Sequence, residues 1–219
     1  MTKCFTILVE GNIGAGKTEF LKQFKDIKEV DVLEEPVEKW KNLDGINLLK
    51  DLYQEPAKYS SLFQYYVFLT QLEQHWQCNK KLKIMERSLF SARYCFVEAL
   101  KRNKSIHTSE YNVLVAWFDF LTQNLDIFMN IDLIIYLKTS PEVVFTRIQK
   151  RNRVEEQAMS LTYLQNLHDV HEEWLINKHF PCPAPIWIIE ADKSIKDMAS
   201  DVLNVKHFIM NKLTNYYEE

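Results

Sequence analysis

The chain has 219 residues, 47% of them hydrophobic and 26% charged, a globular composition that excludes disorder, collagen and fibre. Lys plus Arg number 27 against 30 Asp plus Glu, a net charge of −3, which argues against gripping polymeric DNA or RNA by its phosphates. The four cysteines, Cys4, Cys78, Cys95 and Cys182, lie far apart with no C-x-x-C pair, so packed thiols in a reducing compartment are expected rather than a zinc ribbon or a disulfide framework.

From Met1 the chain runs almost at once into the apolar segment Phe5–Val9, with nothing resembling a signal or transit segment before it. No apolar run approaches the roughly 20 residues of a membrane span, and the expectation is a soluble, cytoplasmic protein. Phe5–Val9 is the first of four short, almost continuously apolar runs; Val30–Leu33, Leu133–Leu137 and Ile186–Ile189 are the others. A fifth candidate, Leu82–Met85, ends in the charged pair Glu86 and Arg87. Such runs suit parallel strands covered on both faces. Between them, Phe20, Leu21 and Phe24 recur at helical spacing, as do Leu161, Leu164, Leu167, Trp174 and Leu175. Further helices are predicted over Tyr59–Lys81, Ser88–Lys101, Glu110–Gln123, Glu142–Lys150 and Ile195–Leu213. The alternation is βαβ, hence an α/β fold with a five-stranded parallel sheet flanked by helices. No linker or repeat divides the chain, so residues 1–219 are expected to form one domain.

The turn after the first strand reads Gly11-Asn12-Ile13-Gly14-Ala15-Gly16-Lys17-Thr18, matching G-x-x-x-x-G-K-[ST] in the strand-to-helix context that pattern requires. Its backbone N–H groups are expected to form a nest at a helix N-terminus, with Lys17 reaching the outer phosphates and Thr18 holding Mg²⁺. Three of the chain's four glycines fall in this loop, which a merely tight turn would not require. Binding of a nucleoside triphosphate follows.

A phosphate loop alone does not separate a kinase from a GTP-driven switch, so the other strand ends must decide. A guanine-specific switch would offer Asn-Lys-x-Asp, whereas Asn177-Lys178-His179-Phe180 ends in Phe. The second strand instead runs into Glu34-Glu35-Pro36-Val37-Glu38-Lys39-Trp40, and the third delivers Glu86-Arg87-Ser88. Both groups land at the carboxyl edge of the sheet, where open α/β folds bind ligands. One carboxylate there can act as base, and an arginine beside a carboxylate is expected to keep it ionised. Each glutamate alone is equally readable as a solvated loop charge; together, beside a phosphate loop, they point to one pocket. His168 and His171 lie three apart without a third ligand at recognisable spacing, so no metal is assigned to them.

The segments Glu10-Gly-Asn-Ile-Gly-Ala-Gly-Lys-Thr18, Glu35-Pro-Val-Glu-Lys-Trp40, Lys81-Leu-Lys-Ile-Met-Glu-Arg-Ser88, Phe90-Ser-Ala-Arg-Tyr-Cys-Phe96 and Ile135-Tyr-Leu-Lys-Thr-Ser-Pro-Glu142 resemble the deoxynucleoside kinase family over about Phe5 to Asp192. The resemblance implies a three-layer P-loop kinase fold and transfer of the γ-phosphoryl of ATP to the 5′-hydroxyl of a deoxynucleoside, giving monophosphates for nucleotide salvage. It makes Glu35 the general base and gives Arg87 the task of orienting it. Mg²⁺ falls to Thr18 with Glu86 nearby. It assigns Arg147, Arg151 and Arg153 to a lid near residues 147–160 that folds over the donor phosphates; a basic helix end in solvent is the plainer alternative. Gln149 departs from the family pattern, where another arginine is expected. Gln64 matches the base-reading glutamine, Trp40, Phe63 and Phe96 the aromatic clamp, and Tyr53 with Glu156 the pair gripping the 3′-hydroxyl. Val67 and Ala92 resemble the pyrimidine-preferring lining, which puts thymidine and deoxycytidine first; Gln71 departs from the pattern, its amide able either to hydrogen-bond a purine edge or to narrow the cavity, so purines are expected weakly. A nucleoside monophosphate kinase is the alternative enzyme. The family's homodimer is implied as well, with Val113, Trp117, Phe118 and Leu121 as candidates for the interface or, equally, for the core.

Overall fold

A computed structural model describes residues 4–125, 131–157 and 159–215. Five strands, β1 (Phe5–Glu10), β2 (Val30–Leu33), β3 (Leu82–Glu86), β4 (Leu133–Lys138) and β5 (Ile186–Glu190), form one sheet in the order β2-β3-β1-β4-β5. All four pairings are parallel, with Ile7 opposite both Ile84 and Leu133. All six residues of β1 are buried, as a strand covered on both faces requires. Each of β1, β3, β4 and β5 extends one residue beyond its apolar run, to Glu10, Glu86, Lys138 or Glu190, so four charged side chains stand at the carboxyl edge.

The period-two alternation divides the core into two. Phe5, Ile7 and Val9 of β1 pack with Leu133, Ile135 and Leu137 of β4 against α1 (Lys17–Lys22), α8 (Pro141–Arg151) and α10 (Ala199–Asn215). Leu8, Met85, Ile134 and Tyr136 face the other way, onto α4 (Pro56–Trp76), α7 (Thr108–Asn124) and α9 (Leu161–Leu175). Connections leave β1 toward β2 and β4 toward β5, in opposite directions, so a crevice opens at their carboxyl ends.

Two short helices, α2 (Val37–Lys41) and α3 (Leu48–Gln54), precede α4 and have no counterpart in the predicted elements. At five and seven residues they are too short to show a period and depend on packing and on the Asn47 cap, which accepts from the Lys50 N–H at 2.9 Å. Helix α4 begins at Pro56, well placed at a first helical position, and ends at Trp76 rather than Lys81. The Lys83 ammonium stops it, donating to the carbonyls of His75 at 2.5 Å and Gln77 at 3.0 Å.

The segment predicted as one helix over Ser88–Lys101 is interrupted. A turn α5 (Leu89–Ser91) and a final piece α6 (Glu98–Arg102) flank a π-helical stretch over Ala92–Val97. Arg93 and Glu98 are five residues apart, a spacing that shares a face only in the wider π turn, and there they form a buried ion pair. Of the α7 candidates, Phe118 and Leu121 belong to the core, whereas Val113 and Trp117 are about half exposed, as is Phe120. Among the described residues no helix is long and apolar enough to cross a membrane. His171 stacks flat on Tyr136 with its Nδ1 on the Leu167 carbonyl.

Candidate active site

The loop between β1 and α1 owes its path to its glycines. Gly11 (φ +145°) passes so close to β4 that a Cβ would meet the Leu137 carbonyl oxygen at 2.7 Å, and Gly14 (φ +78°) presses on the Val144 carbonyl of α8 at 3.0 Å. Neither space nor backbone angle admits a side chain. Asn12 points away from the cleft, its amide donating to the Leu164 carbonyl at 2.9 Å and its Oδ1 accepting from the Ile13 N–H at 2.8 Å. Ala15 is buried beneath the loop. Lys17 folds back into the loop it follows, donating to the carbonyls of Asn12 at 2.8 Å and Gly11 at 3.2 Å. Burial brings its ammonium down to about 8, with Arg87 acting in the same sense against Glu86, Glu35 and Glu10.

Opposite the loop, β3 ends in Glu86 and Arg87. The Thr18 hydroxyl donates to Glu86 at 2.9 Å, and Lys17 Nζ lies 4.0 Å from the same carboxylate. Sequence reasoning expects a neighbouring arginine to hold a carboxylate ionised; at Glu86 the direction is reversed, because burial raises its pKa more than Lys17 and Arg87 lower it, with Glu35 adding to the rise. Arg87 adopts a left-handed backbone, φ +63°, rare for a residue with a side chain. That turn sends its guanidinium into the cleft. Nε lies 2.7 Å from Glu35 Oε1, Nη1 donates to the Gly11 carbonyl at 3.0 Å, and the plane lies over the Phe96 ring at 4.6 Å. Burial works against the arginine's charge, but Glu35, Glu10 and Glu86 together outweigh it and raise its pKa.

Glu10 is the residue that the sequence did not single out. It ends the central strand, fully buried, where its Oε1 accepts from the Ser88 hydroxyl at 2.5 Å. Burial pushes its carboxyl from 4.5 up to about 7, against the pull of Ser88, Arg87 and Lys17. Between those two values the folded protein holds a proton that the unfolded chain has released, so this group's stabilising contribution is complete below 4.5 and lost as pH rises through 7. Glu10→Gln removes the titration. Relative to the parent, the variant is therefore expected to gain stability between pH 5 and pH 8, by on the order of 3 kcal/mol; a difference unchanged across denaturant titrations at those two pH values would contradict this account.

A cavity of about 640 Å³ extends from the phosphate loop. It brings together Ile13, Gly14, Gly16, Lys17, Thr18, Glu35, Glu86 and Arg87 at one end with Trp40, Tyr53, Phe63, Gln64, Val67, Gln71, Ala92 and Phe96, and also Arg147, Arg151, Arg153 and Glu156. Of the predicted residues, Gly11, Asn12 and Ala15 shape the loop without lining the cavity. Trp40 and Phe63 meet edge to face at 5.4 Å, the indole fixed by a hydrogen bond from Nε1 to Thr70 at 3.0 Å. Gln64 and Gln71, both on the buried side of α4, each keep an Oε1 with no protein partner, a state that is costly unless a ligand supplies the donor. Burial raises the Tyr53 phenol well above its ordinary value, so it stays a hydrogen-bond donor. Ser60 and Tyr163 are further lining residues.

The arginines after β4 divide in two. Arg147 is tied down by three backbone carbonyls, Ala15 at 3.3 Å, Ala191 at 2.9 Å and Lys193 at 2.8 Å. Arg151 and Arg153 converge instead on Glu156, at 2.6 Å and 3.5 Å. Asn152 between them turns left-handed and ends α8. Ala158, within the predicted lid, lies outside the described residues.

A sequence model of the deoxynucleoside kinase family matches residues 7–215. The chain is 44% identical over 194 residues to mitochondrial thymidine kinase 2 of Homo sapiens, covering 88% of this chain and 72% of that protein, and equally similar over 195 residues to its counterpart in Macaca fascicularis. It is 30% identical over 239 aligned positions to human deoxycytidine kinase, covering 95% of this chain and 92% of that one. A phosphate loop facing an acid and arginine pair across a cleft, on a parallel sheet matched along nearly its whole length, places this chain in the deoxynucleoside kinase family.

Proposed function

We propose that the protein transfers the γ-phosphoryl of ATP to the 5′-hydroxyl of deoxynucleosides, thymidine and deoxycytidine before purines, and so supplies monophosphates for salvage. One observation carries the reading: a single cavity joins the phosphate loop and the Glu35–Arg87 pair to the buried Gln64 amide and the rings of Trp40, Phe63 and Phe96. Phosphoryl transfer needs alignment and neutralised charge more than covalent chemistry. Lys17 and the loop N–H groups hold the donor phosphates, Glu35 takes the proton of the 5′-hydroxyl, and Arg87 fixes that carboxylate and steadies the phosphoryl group. The Gln64 amide offers a donor beside an acceptor, and turning it over suits either thymine or cytosine. Tyr53 and Glu156 suit the 3′-hydroxyl. Gln71 narrows the cavity beside Val67 and adds a polar atom there, which favours the smaller bases.

Mg²⁺ fits the same reading. Thr18 and Glu86 present hard oxygen donors already in contact, beside the loop that would carry the phosphates. These two residues would hold the ion, which when bound offsets the charge of the donor phosphates. Residues 147–160 act as a lid in this reading, with Arg151 and Arg153 lining the same cavity as the phosphate loop.

Steady-state kinetics on the four deoxynucleosides with ATP test the proposal. The expected order of kcat/KM is thymidine and deoxycytidine above both purines; a higher value for deoxyguanosine would refute the preference, and greater activity on dTMP than on thymidine would favour a monophosphate kinase.

The partner in solution is a second copy in the same reading. Leu62, Leu69 and Trp76 recur every seven residues along α4, and Val113, Trp117 and Phe120 share a face of α7; all six are 47–57% exposed, on helices that pack side by side. Exposure this large on adjacent helices suits a four-helix contact between two subunits. Leu69→Glu with Trp117→Glu is expected to convert a dimer to a monomer in sedimentation, and an unchanged sedimentation coefficient would remove this surface from the interface.

A further inference from the structure

Far from the cleft, two thiols converge that the phosphoryl-transfer chemistry does not use. Cys4 leads into β1 and Cys78 follows α4, yet both sulfurs turn to one acceptor: the Lys80 carbonyl oxygen lies 3.5 Å from Cys4 Sγ and 3.7 Å from Cys78 Sγ. Burial, and then a hydrogen bond with the Cys78 thiol, pushes the Cys4 thiol up to about 12. The Lys83 ammonium that caps α4 lies close enough to favour the charged form of the Cys4 thiol, while Asp31 opposes it. Accessibility is divided between them, Cys78 being exposed and Cys4 half-buried. The remaining cysteines have different settings: Cys95 is buried in the π-helical stretch, and Cys182 donates to the Trp174 carbonyl at 3.4 Å.

We infer that Cys4 and Cys78 form a reversible dithiol–disulfide pair, oxidised by small-molecule disulfides such as oxidised glutathione. The exposed Cys78, as thiolate, attacks one sulfur of the small disulfide and expels a small thiolate. The Cys4 sulfur, on losing its proton, attacks the Cys78 sulfur of the mixed disulfide and expels the second. One S–S bond forms in the protein and one breaks in the reagent; two electrons pass to the reagent, and both thiol protons end on the two small thiols released. Both sulfurs are held near one carbonyl oxygen, at the start of β1 and just past the end of α4, which puts them in the neighbourhood a disulfide requires.

The bridge would tie the start of the central strand to the end of the helix that carries Phe63, Gln64 and Gln71. Because β1 separates Cys4 from the phosphate loop by its whole length, oxidation is expected to change the resistance of this corner to unfolding rather than the chemistry of the cleft. The inference therefore stands or falls independently of the proposed substrate.

The test equilibrates the full-length protein in graded mixtures of reduced and oxidised glutathione, quenches with an alkylating agent in denaturant so that buried thiols also react, reads intact mass and mapped peptides, and follows thermal unfolding on unquenched samples. The expected oxidised species has lost about 2 Da, the two thiol hydrogens, carries alkyl groups on Cys95 and Cys182 only, and melts about 5 °C or more higher. Cys4→Ser and Cys78→Ser are each expected to abolish it, and Cys182→Ser to retain it. Peptide mapping on the parent protein decides the matter without the variants. A glutathione adduct that persists on Cys78, a cross-linked dimer through Cys78, or full alkylation of both thiols at the most oxidising ratio would each overturn the inference.

Discussion

Glu35→Gln is expected to lower kcat by roughly 10²–10⁴ while leaving thymidine affinity within a few-fold of the parent. The amide keeps the volume of the carboxylate and its contact with the Arg87 Nε, 2.7 Å away, but it has no basicity. Arg87 retains the Gly11 carbonyl and the neighbouring charges of Glu10 and Glu86, so the cleft should hold its shape. Calorimetric titration with thymidine separates binding from turnover. Turnover like the parent's would remove Glu35 from the reaction, and loss of binding with unchanged turnover would make it a substrate anchor instead.

The second large effect belongs to Arg87. Arg87→Ala removes the ion pair to Glu35, the donor to the Gly11 carbonyl and the cation over Phe96 in one step. Three carboxylates, Glu10, Glu35 and Glu86, lose one of the two cations they share and keep only Lys17, which in a buried site costs about 3–5 kcal/mol. Activity is expected to fall further than stability alone explains, by roughly 10²–10³ in kcat/KM measured on the folded fraction. The left-handed backbone adds a second readout, because glycine adopts φ +63° without strain whereas alanine does not. Arg87→Gly should therefore be about 1 kcal/mol more stable than Arg87→Ala in chemical denaturation. Parental stability and kcat/KM in Arg87→Ala would refute the role assigned to the residue.

The parts legible in the sequence are those whose signal is local. The phosphate loop shows in the spacing of Gly11, Gly16 and Lys17, and the strands show as apolar runs because both faces of a parallel sheet are dry. Glu35 and Arg87 could be placed because each stands two residues past the end of such a run. What escaped has non-local causes. Glu10 reads as the charge that ends a strand, and only its burial against Ser88 reveals its part in the site. Arg147 reads as one of a basic cluster, yet its three carbonyl partners come from the phosphate loop and the segment after β5. The faces of α7 could not be told apart from its composition, since Trp117 and Phe118 are equally apolar and only packing buries the second.

The wide turn over Ala92–Val97 bears on how this protein can change its appetite over generations. Deletion of one residue between Arg93 and Glu98 would restore ordinary helical winding at about 3.6 residues per turn while the flanking pieces keep their orientation, leaving that pair four apart and still on one face. The wall formed by Ala92 and Phe96 is thus open both to exchange of one side chain for another and to loss of a single residue, so a lineage that broadens its diet through this wall is not held to constant length.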